Sequence, residues 1–216
     1  MNLIVSDFDG TFFDEYYNKN IELIKKYNID FVIATGRNIQ SLKKDLKIDC
    51  KYYICNDGGY ILDDNYNLIY RNYINKDTIQ KLYSRIIGLG YDDYFFDNLE
   101  TFSKEIIDNI NKLSIKIKDN NAVSDMEYIL KDLEDVYAYI STNWINIMNI
   151  ESKKENAIEY ISKLNNYDKI IVVGNEINDY EMLKKYDGYL ISKENNKVFK
   201  TINNFLEIET IIKNDH

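Results

Sequence analysis

Two carboxylates near the N-terminus are the first residues in the chain whose spacing indicates chemistry. Asp7 and Asp9 lie two residues apart in Asp7-Phe8-Asp9-Gly10-Thr11, directly after the apolar run at residues 3–5. Like charges at this spacing repel each other, and a hard cation such as Mg²⁺ is the usual reason for keeping them together. An Asx-rich turn, in which Asp9 only caps a following helix, is the alternative.

Two more apolar runs end in polar residues of this kind. Thr35 and Arg37 follow the run at residues 31–34, and the segment Gly174-Asn175-Glu176-Ile177-Asn178-Asp179 follows the run at residues 170–173. If the runs are parallel strands of one sheet, their carboxyl ends meet at one edge, where open α/β sheets form their sites. The sequence therefore predicts a single site built from these three clusters.

The elements between the clusters support such a sheet. The apolar runs at residues 3–5, 31–34, 52–55 and 170–173 alternate with helical spacing at 21–27, 41–46, 153–164 and 180–185. Strands that alternate with helices predict right-handed crossovers and an α/β fold, a parallel sheet core with helices on both faces. Residues 61–70 indicate a hairpin around Asp63-Asp64-Asn65.

The middle of the chain has a different pattern. Helices are expected at residues 77–88 and 124–133, and strands at 114–118, 136–141 and 145–148. This predicts a small inserted α+β subdomain at about residues 74–148, with the core made of residues 1–73 and 149–216. The segment at residues 91–96 is polar and aromatic enough to touch a sugar, but we favour a surface strand there.

Composition excludes several classes of function. The 216 residues carry a net charge of −9, which argues against nucleic acid as a partner, because phosphate backbones require a basic face. The only histidine is His216, so we expect neither histidine-based general base catalysis nor histidine-ligated zinc. Cys50 and Cys55 are expected to be free thiols. No apolar run approaches the about 20 residues of a membrane span, and the start of the chain turns acidic, so we expect a cytoplasmic protein that contacts no membrane.

In their order and context, the polar clusters resemble the four motifs of the haloacid dehalogenase (HAD) superfamily. Ala34-Thr35-Gly36-Arg37 is similar to the second motif of the Cof-like, type IIB cap subgroup. The resemblance implies a Rossmann-like core with a small type IIB-like cap at residues 74–148. Too few residues separate Asp9 from Thr35 for a cap there, whereas the stretch between Arg37 and Lys154 has room for one.

The resemblance also implies an activity, that of a Mg²⁺-dependent phosphatase acting on small phosphorylated metabolites, with sugar phosphates as the expected class. Asp7 would be the nucleophile that forms an aspartyl-phosphate, and Asp9 the general acid and base. Thr35 and a lysine would hold the phosphoryl oxygens. Alignment of Ala157-Ile158 with the Ala-Leu of the family's third motif selects Lys154 over Lys153.

The remaining roles also come from the resemblance. The expected substrate-binding residues are Thr11, Gly36, Arg37, Asn56 and Asn178. The expected metal ligands are Asp7, Asp9 through its backbone oxygen, Asn175 and Asp179. The alternatives for Asp179 are action through a water molecule and positioning of Lys154. Asn175 departs from the family, which usually has an aspartate there, and an amide offers Mg²⁺ an oxygen without a full charge.

Three other functions stay open at this point. A phosphomutase or phosphotransferase of the same superfamily would share the aspartyl-phosphate half-reaction. A catalytically weak, ligand-binding relative is suggested by Asn175 and the short cap. A receiver domain also uses an acceptor aspartate, a threonine and a lysine on a parallel sheet, but the long insertion and the second acid, Asp9, argue against it.

Overall fold

A computed structural model describes residues 2–194 and 196–214, so the expectation about His216 concerns a residue outside the described chain. Up to Arg71 the chain alternates between strand and helix and then forms a hairpin. The elements are β1 (Asn2–Ser6), α1 (Tyr17–Tyr27), β2 (Asp30–Ala34), α2 (Ile39–Asp45), β3 (Tyr52–Cys55), β4 (Tyr60–Asp63) and β5 (Leu68–Arg71). Both faces of the short strands are covered, which is why β1, β2 and β3 appear in the sequence as unbroken apolar runs.

The middle of the chain builds a separate antiparallel sheet. Its elements are α3 (Lys76–Gly88), β6 (Tyr94–Asp97), β7 (Phe102–Ser103), β8 (Lys112–Lys116), α4 (Ala122–Leu130), β9 (Val136–Ser141) and β10 (Trp144–Asn149). The strand order is β7-β6-β8-β10-β9. Buried residues of α3 and α4 pack with Leu113, Ile115, Ile145 and Ile147 on one face of this sheet. These elements form the cap.

The chain then returns to the first sheet. The last elements are α5 (Lys154–Leu164), β11 (Lys169–Gly174), α6 (Tyr180–Lys185), β12 (Asp187–Ile191), β13 (Lys200–Ile202) and α7 (Ile208–Asn214). The order of the core sheet is β13-β12-β11-β1-β2-β3-β4-β5. Neighbours from β13 to β3 are parallel, whereas β4 runs antiparallel to both β3 and β5.

Helices cover both faces of the core sheet. Buried side chains of α1, α2 and α7 pack on one face, and those of α5 and α6 pack on the other. The predicted fold class, a Rossmann-like α/β core with a small inserted α+β cap, is therefore confirmed. The boundaries at residues 74 and 148 stay a prediction.

The two connections between core and cap lie next to each other. Asn149 Nδ2 donates to the carbonyl of Tyr73 over 2.8 Å, so the connections that enter and leave the cap lie side by side. Cys50 and Cys55 are buried free thiols in the described structure, as predicted. No helix among the described residues is long and apolar enough to cross a membrane.

Candidate active site

The predicted clusters meet at the carboxyl edge of the core sheet. β1 lies between β2 and β11, so Asp7 follows the central strand, with Thr35 after one neighbour and Asn175 after the other. The Asp7 amide donates to the carbonyl of Val173 over 2.9 Å, which continues the β1–β11 ladder by one residue. The parallel register therefore places the three clusters together.

Lys154 connects the first and last clusters. It is the first residue of α5, is 1% exposed, and places Nζ 2.7 Å from Asp7 Oδ1 and 2.8 Å from Asp179 Oδ1. Burial disfavours its ammonium form, but the carboxylates around it outweigh burial and raise the pKa of Lys154. Lys153 instead places Nζ over the ring of Tyr137, 5.4 Å from its centre. The structure thus brings Lys154, not Lys153, to Asp7.

Asp7 lies where negative charge is in excess. Asp7 is 7% exposed and lines the cleft between core and cap. Burial raises the pKa of Asp7 to about 7, with Asp179 and Asp9 adding to the effect and Lys154 opposing it. One lysine does not compensate the acids around it, so the site favours a further cation.

Asp9 is held from the side by an arginine. Arg37 Nε donates to Asp9 Oδ2 over 2.8 Å and Nη2 donates to Oδ1, while Nη1 donates to Asp45 Oδ2 over 2.6 Å. The guanidinium also lies over the Phe8 ring, 5.1 Å from its centre. A planar fork held in this way fixes the Asp9 carboxylate at the mouth of the cleft, where its side chain is 51% exposed.

Thr35 and Gly36 form the adjoining wall. Thr35 is 1% exposed, and its hydroxyl oxygen accepts the Arg37 amide hydrogen at 3.1 Å. A Cβ on Gly36 would lie 3.1 Å from Asp57 Oδ2, so the close approach of Asp57 leaves little room for any larger residue. The Gly36 carbonyl accepts from Lys112 Nζ, a cap residue, at 3.1 Å.

The last cluster is a single turn of 3₁₀ helix at Ile177–Asp179. Asp179 Oδ2 accepts the amides of Asn175 and Glu176 at 2.9 and 3.0 Å, while Oδ1 accepts from Lys154. Both of its oxygens are thus occupied in orienting the turn and Lys154. Asn178 donates through Nδ2 to Asp57 Oδ1 at 2.9 Å.

Asn175 retains an unused oxygen. Its Oδ1 is buried with no hydrogen-bond partner among the described residues. Its amide packs so closely on the first loop that a Cβ at Gly10 would lie 2.6 Å from Nδ2, and Gly10 has φ +71°. The described chain holds no group of three acidic, histidine or cysteine side chains arranged for a metal ion. An orphaned amide oxygen next to the Asp7 loop still fits a Mg²⁺ site with one carboxylate and several waters.

A buried carboxylate that sequence reasoning did not select connects cap and core. Asp57 is 1% exposed, and it accepts from Lys112 Nζ and the Tyr139 hydroxyl of the cap at 2.9 and 2.8 Å, as well as from Asn178. Burial would raise the pKa of Asp57, but Lys112, Lys154 and these hydrogen bonds lower it to about 2. The left-handed conformation of Asp57, at φ +54°, is uncommon for a residue other than glycine and is consistent with a constrained role.

Two predicted substrate-binding residues do not reach the cleft. Thr11 and Asn56 are 0% exposed, so neither side chain contacts the space in which a substrate would lie. Thr11 is turned inward by the tight turn after β1, in which its amide bonds to the Phe8 carbonyl. Asn56 lies near Asp97 of the cap, where burial raises the pKa of Asp97 and Asn38, Lys112 and Asn56 offset only part of that rise. Burial keeps both side chains out of the cleft lining in this structure, and the expectation that they bind substrate stays a prediction.

The other predicted residues surround a cleft of about 440 Å³ between core and cap. Asp7, Asp9, Thr35, Gly36, Arg37 and Asn178 line its core side. Lys154, Asn175 and Asp179 support this wall through the contacts given above. The opposite side of the cleft is the cap sheet.

Comparison with known proteins agrees with this architecture. A family model for haloacid dehalogenase-like hydrolases matches residues 4–106 and 89–206. A search of curated proteins finds no match to the sequence.

Solved structures of similar fold span nearly the whole chain. A haloacid dehalogenase-like hydrolase from B. subtilis is 16% identical with a TM-score of 0.80, and the match covers 99% of each chain. A HAD/COF-like hydrolase from Plasmodium vivax is 18% identical with a TM-score of 0.79, covering 98% of this chain and 94% of the other. A HAD subclass IIB sugar phosphatase is 14% identical with a TM-score of 0.77, covering 100% and 99%. Because the family model spans most of the sequence and the fold agrees, the chain belongs to the haloacid dehalogenase-like hydrolases.

Proposed function

We propose that this protein is a phosphatase of small phosphorylated metabolites, with sugar phosphates as the expected class. The observation that carries the proposal is the Asp7 carboxylate at the floor of a cleft, 2.7 Å from the buried ammonium of Lys154. A carboxylate nucleophile needs a fixed position and nearby positive charge to approach an anionic phosphate.

The proposed reaction consists of two successive in-line displacements at phosphorus, and each site residue has a separate role in them. An oxygen of Asp7 attacks phosphorus, the bond from phosphorus to the leaving alcohol breaks, and Asp9 gives that alcohol its proton. Asp9 then takes a proton from the water that attacks the aspartyl-phosphate, which releases inorganic phosphate and restores Asp7. Lys154, Thr35 and the backbone at Gly36 hold the phosphoryl oxygens throughout.

We propose that Mg²⁺ is held by Asp7, by the backbone oxygen of Asp9 and by Asn175 Oδ1. When bound, the ion offsets the repulsion between the carboxylate and the phosphate. Asp179, whose oxygens hold Lys154 and two backbone amides, positions the lysine.

Phosphate release with Mg²⁺ present, over a panel of sugar phosphates and a generic aryl phosphate, tests the proposal. Asp7→Asn keeps the shape of the nucleophile but removes its reactivity, so we expect turnover below about 1% of the native rate, because the covalent step of the reaction is lost. Asp64→Asn, in an exposed turn, is the matched control and should keep full activity. Activity of the Asp7→Asn protein near the native rate would refute the proposed nucleophile, and transfer of phosphate to a second hydroxyl would identify a phosphotransferase instead.

A further inference from the structure

The cap sheet has one face that packs on helices and one face that is open to the cleft. Strand residues alternate between faces. Leu113 and Ile115 of β8 pack with α3 and α4, whereas Lys112 and Ser114 point into the cleft. The same alternation holds for the other strands, and the open face contributes Phe95, Phe102, Tyr139, Ser141, Trp144 and Asn146.

The strand register orders these residues by distance from the core. Lys112 is nearest, since its Nζ bonds to Gly36 and Asp57. Ser114 is one row further out, and it lies opposite Asn146 on one side and Phe95 on the other. Trp144 lies opposite Lys116 in the next row. Rows on one face are two residues apart, about 7 Å, so the wall extends roughly 14 Å from Lys112 to Trp144.

The middle strands of this wall, β8 and β10, offer polar groups suited to a sugar. Ser114 Oγ donates to Asn146 Oδ1 at 3.1 Å, which leaves the amide nitrogen of Asn146, a residue of the cleft lining, as a donor for a ligand. Lys112 uses two of its three N–H donors on Gly36 and Asp57, so one remains for a substrate oxygen.

The β7–β6 side of the wall and its outermost row are aromatic. Phe102 lies in the row of Lys112, Phe95 lies in the row of Ser114, and Trp144 lies one row further from the core. Phe95 and Phe102 stack with ring centres 4.3 Å apart and planes 14° apart, and Trp144 lies 6.0 Å from Phe95. Phe95, Phe102 and Trp144 are the aromatic platform. Phe102 is 54% exposed, and it is not part of the hydrophobic cluster that the cap helices form with the sheet. Exposed rings that continue a polar wall at the mouth of a cleft indicate a ligand surface rather than a core.

We propose that the substrate is a phosphorylated sugar that carries a flat aromatic ring, the chemistry of a nucleoside 5′-monophosphate. The inference rests on the proposed function and names its substrate class. The phosphate lies at Asp7, the sugar lies along Lys112, Ser114 and Asn146, and the ring stacks on the aromatic platform. Water is consumed, the bond from phosphorus to the 5′ oxygen breaks, and the nucleoside and inorganic phosphate are released.

A matched pair of substrates tests the inference. Ribose 5-phosphate and adenosine 5′-monophosphate share the phosphorylated sugar and differ in the ring. Stacking on aromatic side chains strengthens binding of a base by roughly tenfold or more. We therefore expect kcat/KM to be at least about tenfold higher for adenosine 5′-monophosphate, and equal values would overturn the inference.

Variants of the aromatic platform test whether it causes the preference for adenosine 5′-monophosphate over ribose 5-phosphate. Phe102→Leu keeps an apolar side chain but removes the ring, so we expect most of the preference to disappear, with kcat/KM falling much further for adenosine 5′-monophosphate than for ribose 5-phosphate. Trp144→Phe retains a ring and should retain part of the preference. Tyr128→Leu changes an equally exposed aromatic residue on α4, away from the cleft, and serves as the control. Equal losses for both substrates in Phe102→Leu would contradict the assignment.

Binding separates this inference from the proposed function. The dissociation constants of the two compounds are measured by calorimetry on the Asp7→Asn protein, which needs no turnover. Tighter binding of adenosine 5′-monophosphate supports the inference even if no phosphate ester is hydrolysed, in which case only the phosphatase proposal fails. Equal binding, or binding of neither compound, overturns the inference even if the enzyme hydrolyses other phosphate esters.

Discussion

Asp57 offers the sharpest test of how the cap is held on the core. Its carboxylate accepts from Lys112 and Tyr139 of the cap and from Asn178 of the core, at 2.8 to 2.9 Å. Asp57→Asn keeps the shape of the side chain but removes its charge. It also leaves the buried Lys112 ammonium, 8% exposed, without its carboxylate.

The pKa of Asp57 gives the size of the effect. A fall from 3.8 to about 2 corresponds to stabilisation of this carboxylate in the folded state by about 2–3 kcal/mol relative to the unfolded chain. Removing one partner of a buried ion pair costs about 3–5 kcal/mol, because the remaining charge is uncompensated. We expect the free energy of unfolding to fall by about 3 kcal/mol in Asp57→Asn.

Urea unfolding at pH 7 measures this change, and Lys112→Met completes a double-mutant cycle. Since either single change breaks the pair, the double variant should be less destabilised than the sum of the two. Asp57 in the folded protein stays charged down to about pH 2, whereas the unfolded residue is protonated near pH 3.8. The advantage of the native protein over Asp57→Asn should therefore be complete above about pH 4 and shrink as the pH falls toward 2. A loss below about 0.5 kcal/mol with no coupling to Lys112 would refute the reasoning.

Three further predictions concern other groups. Lys154→Met should reduce phosphate release by at least about 100-fold, because it removes the cation next to Asp7. Lys153→Met should change the rate less than about threefold, and similar rates in the two variants would contradict the assignment of Lys154. Asn175→Asp should lower the Mg²⁺ concentration for half-maximal activity, because a carboxylate adds charge to the site, and an unchanged metal titration would mean that residue 175 does not touch the ion. Burial raises the pKa of Asp97 to about 6, so the native protein should lose up to about 3 kcal/mol of stability as the pH rises from about 4 to 6, and Asp97→Asn should not. Urea midpoints of both proteins at pH 4 and pH 7 measure this, and a constant difference between them would show that Asp97 does not titrate in this range.

The core of the fold was predictable because its signals are local. β1, β2, β3 and β11 are buried on both faces, so each is an apolar run that ends in polar residues. β13, with three residues at the sheet edge, was not predicted, because only Ile202 of this strand is buried. The helix expected to reach residue 133 ends at Leu130, since the chain turns there and Asp132 adopts φ +58°.

Site residues could be predicted only where they belong to a recognisable sequence motif. Asp7, Thr35 and Lys154 follow from their motifs, and the sheet register brings them together. Lys112 could not be found in this way, because its contact with Asp57 depends on how the cap packs on the core. Thr11 and the turn at Asn56 have the composition of a polar loop, but composition does not determine which way a side chain points.

The paired connections at Tyr73 and Asn149 have a consequence for how this architecture can diversify. Because the chain leaves the core and re-enters it at nearly the same point, the chain connectivity makes the cap a closed loop on the core, apart from the cap contacts of Asp57 and Gly36. The entropic cost of closing a loop rises with the logarithm of its length, so a longer or shorter module at this point changes core stability little. Selection can therefore exchange or resize the cap as a unit while the core sheet stays unchanged, and a short turn from residue 73 to residue 149 should yield an independently folding core.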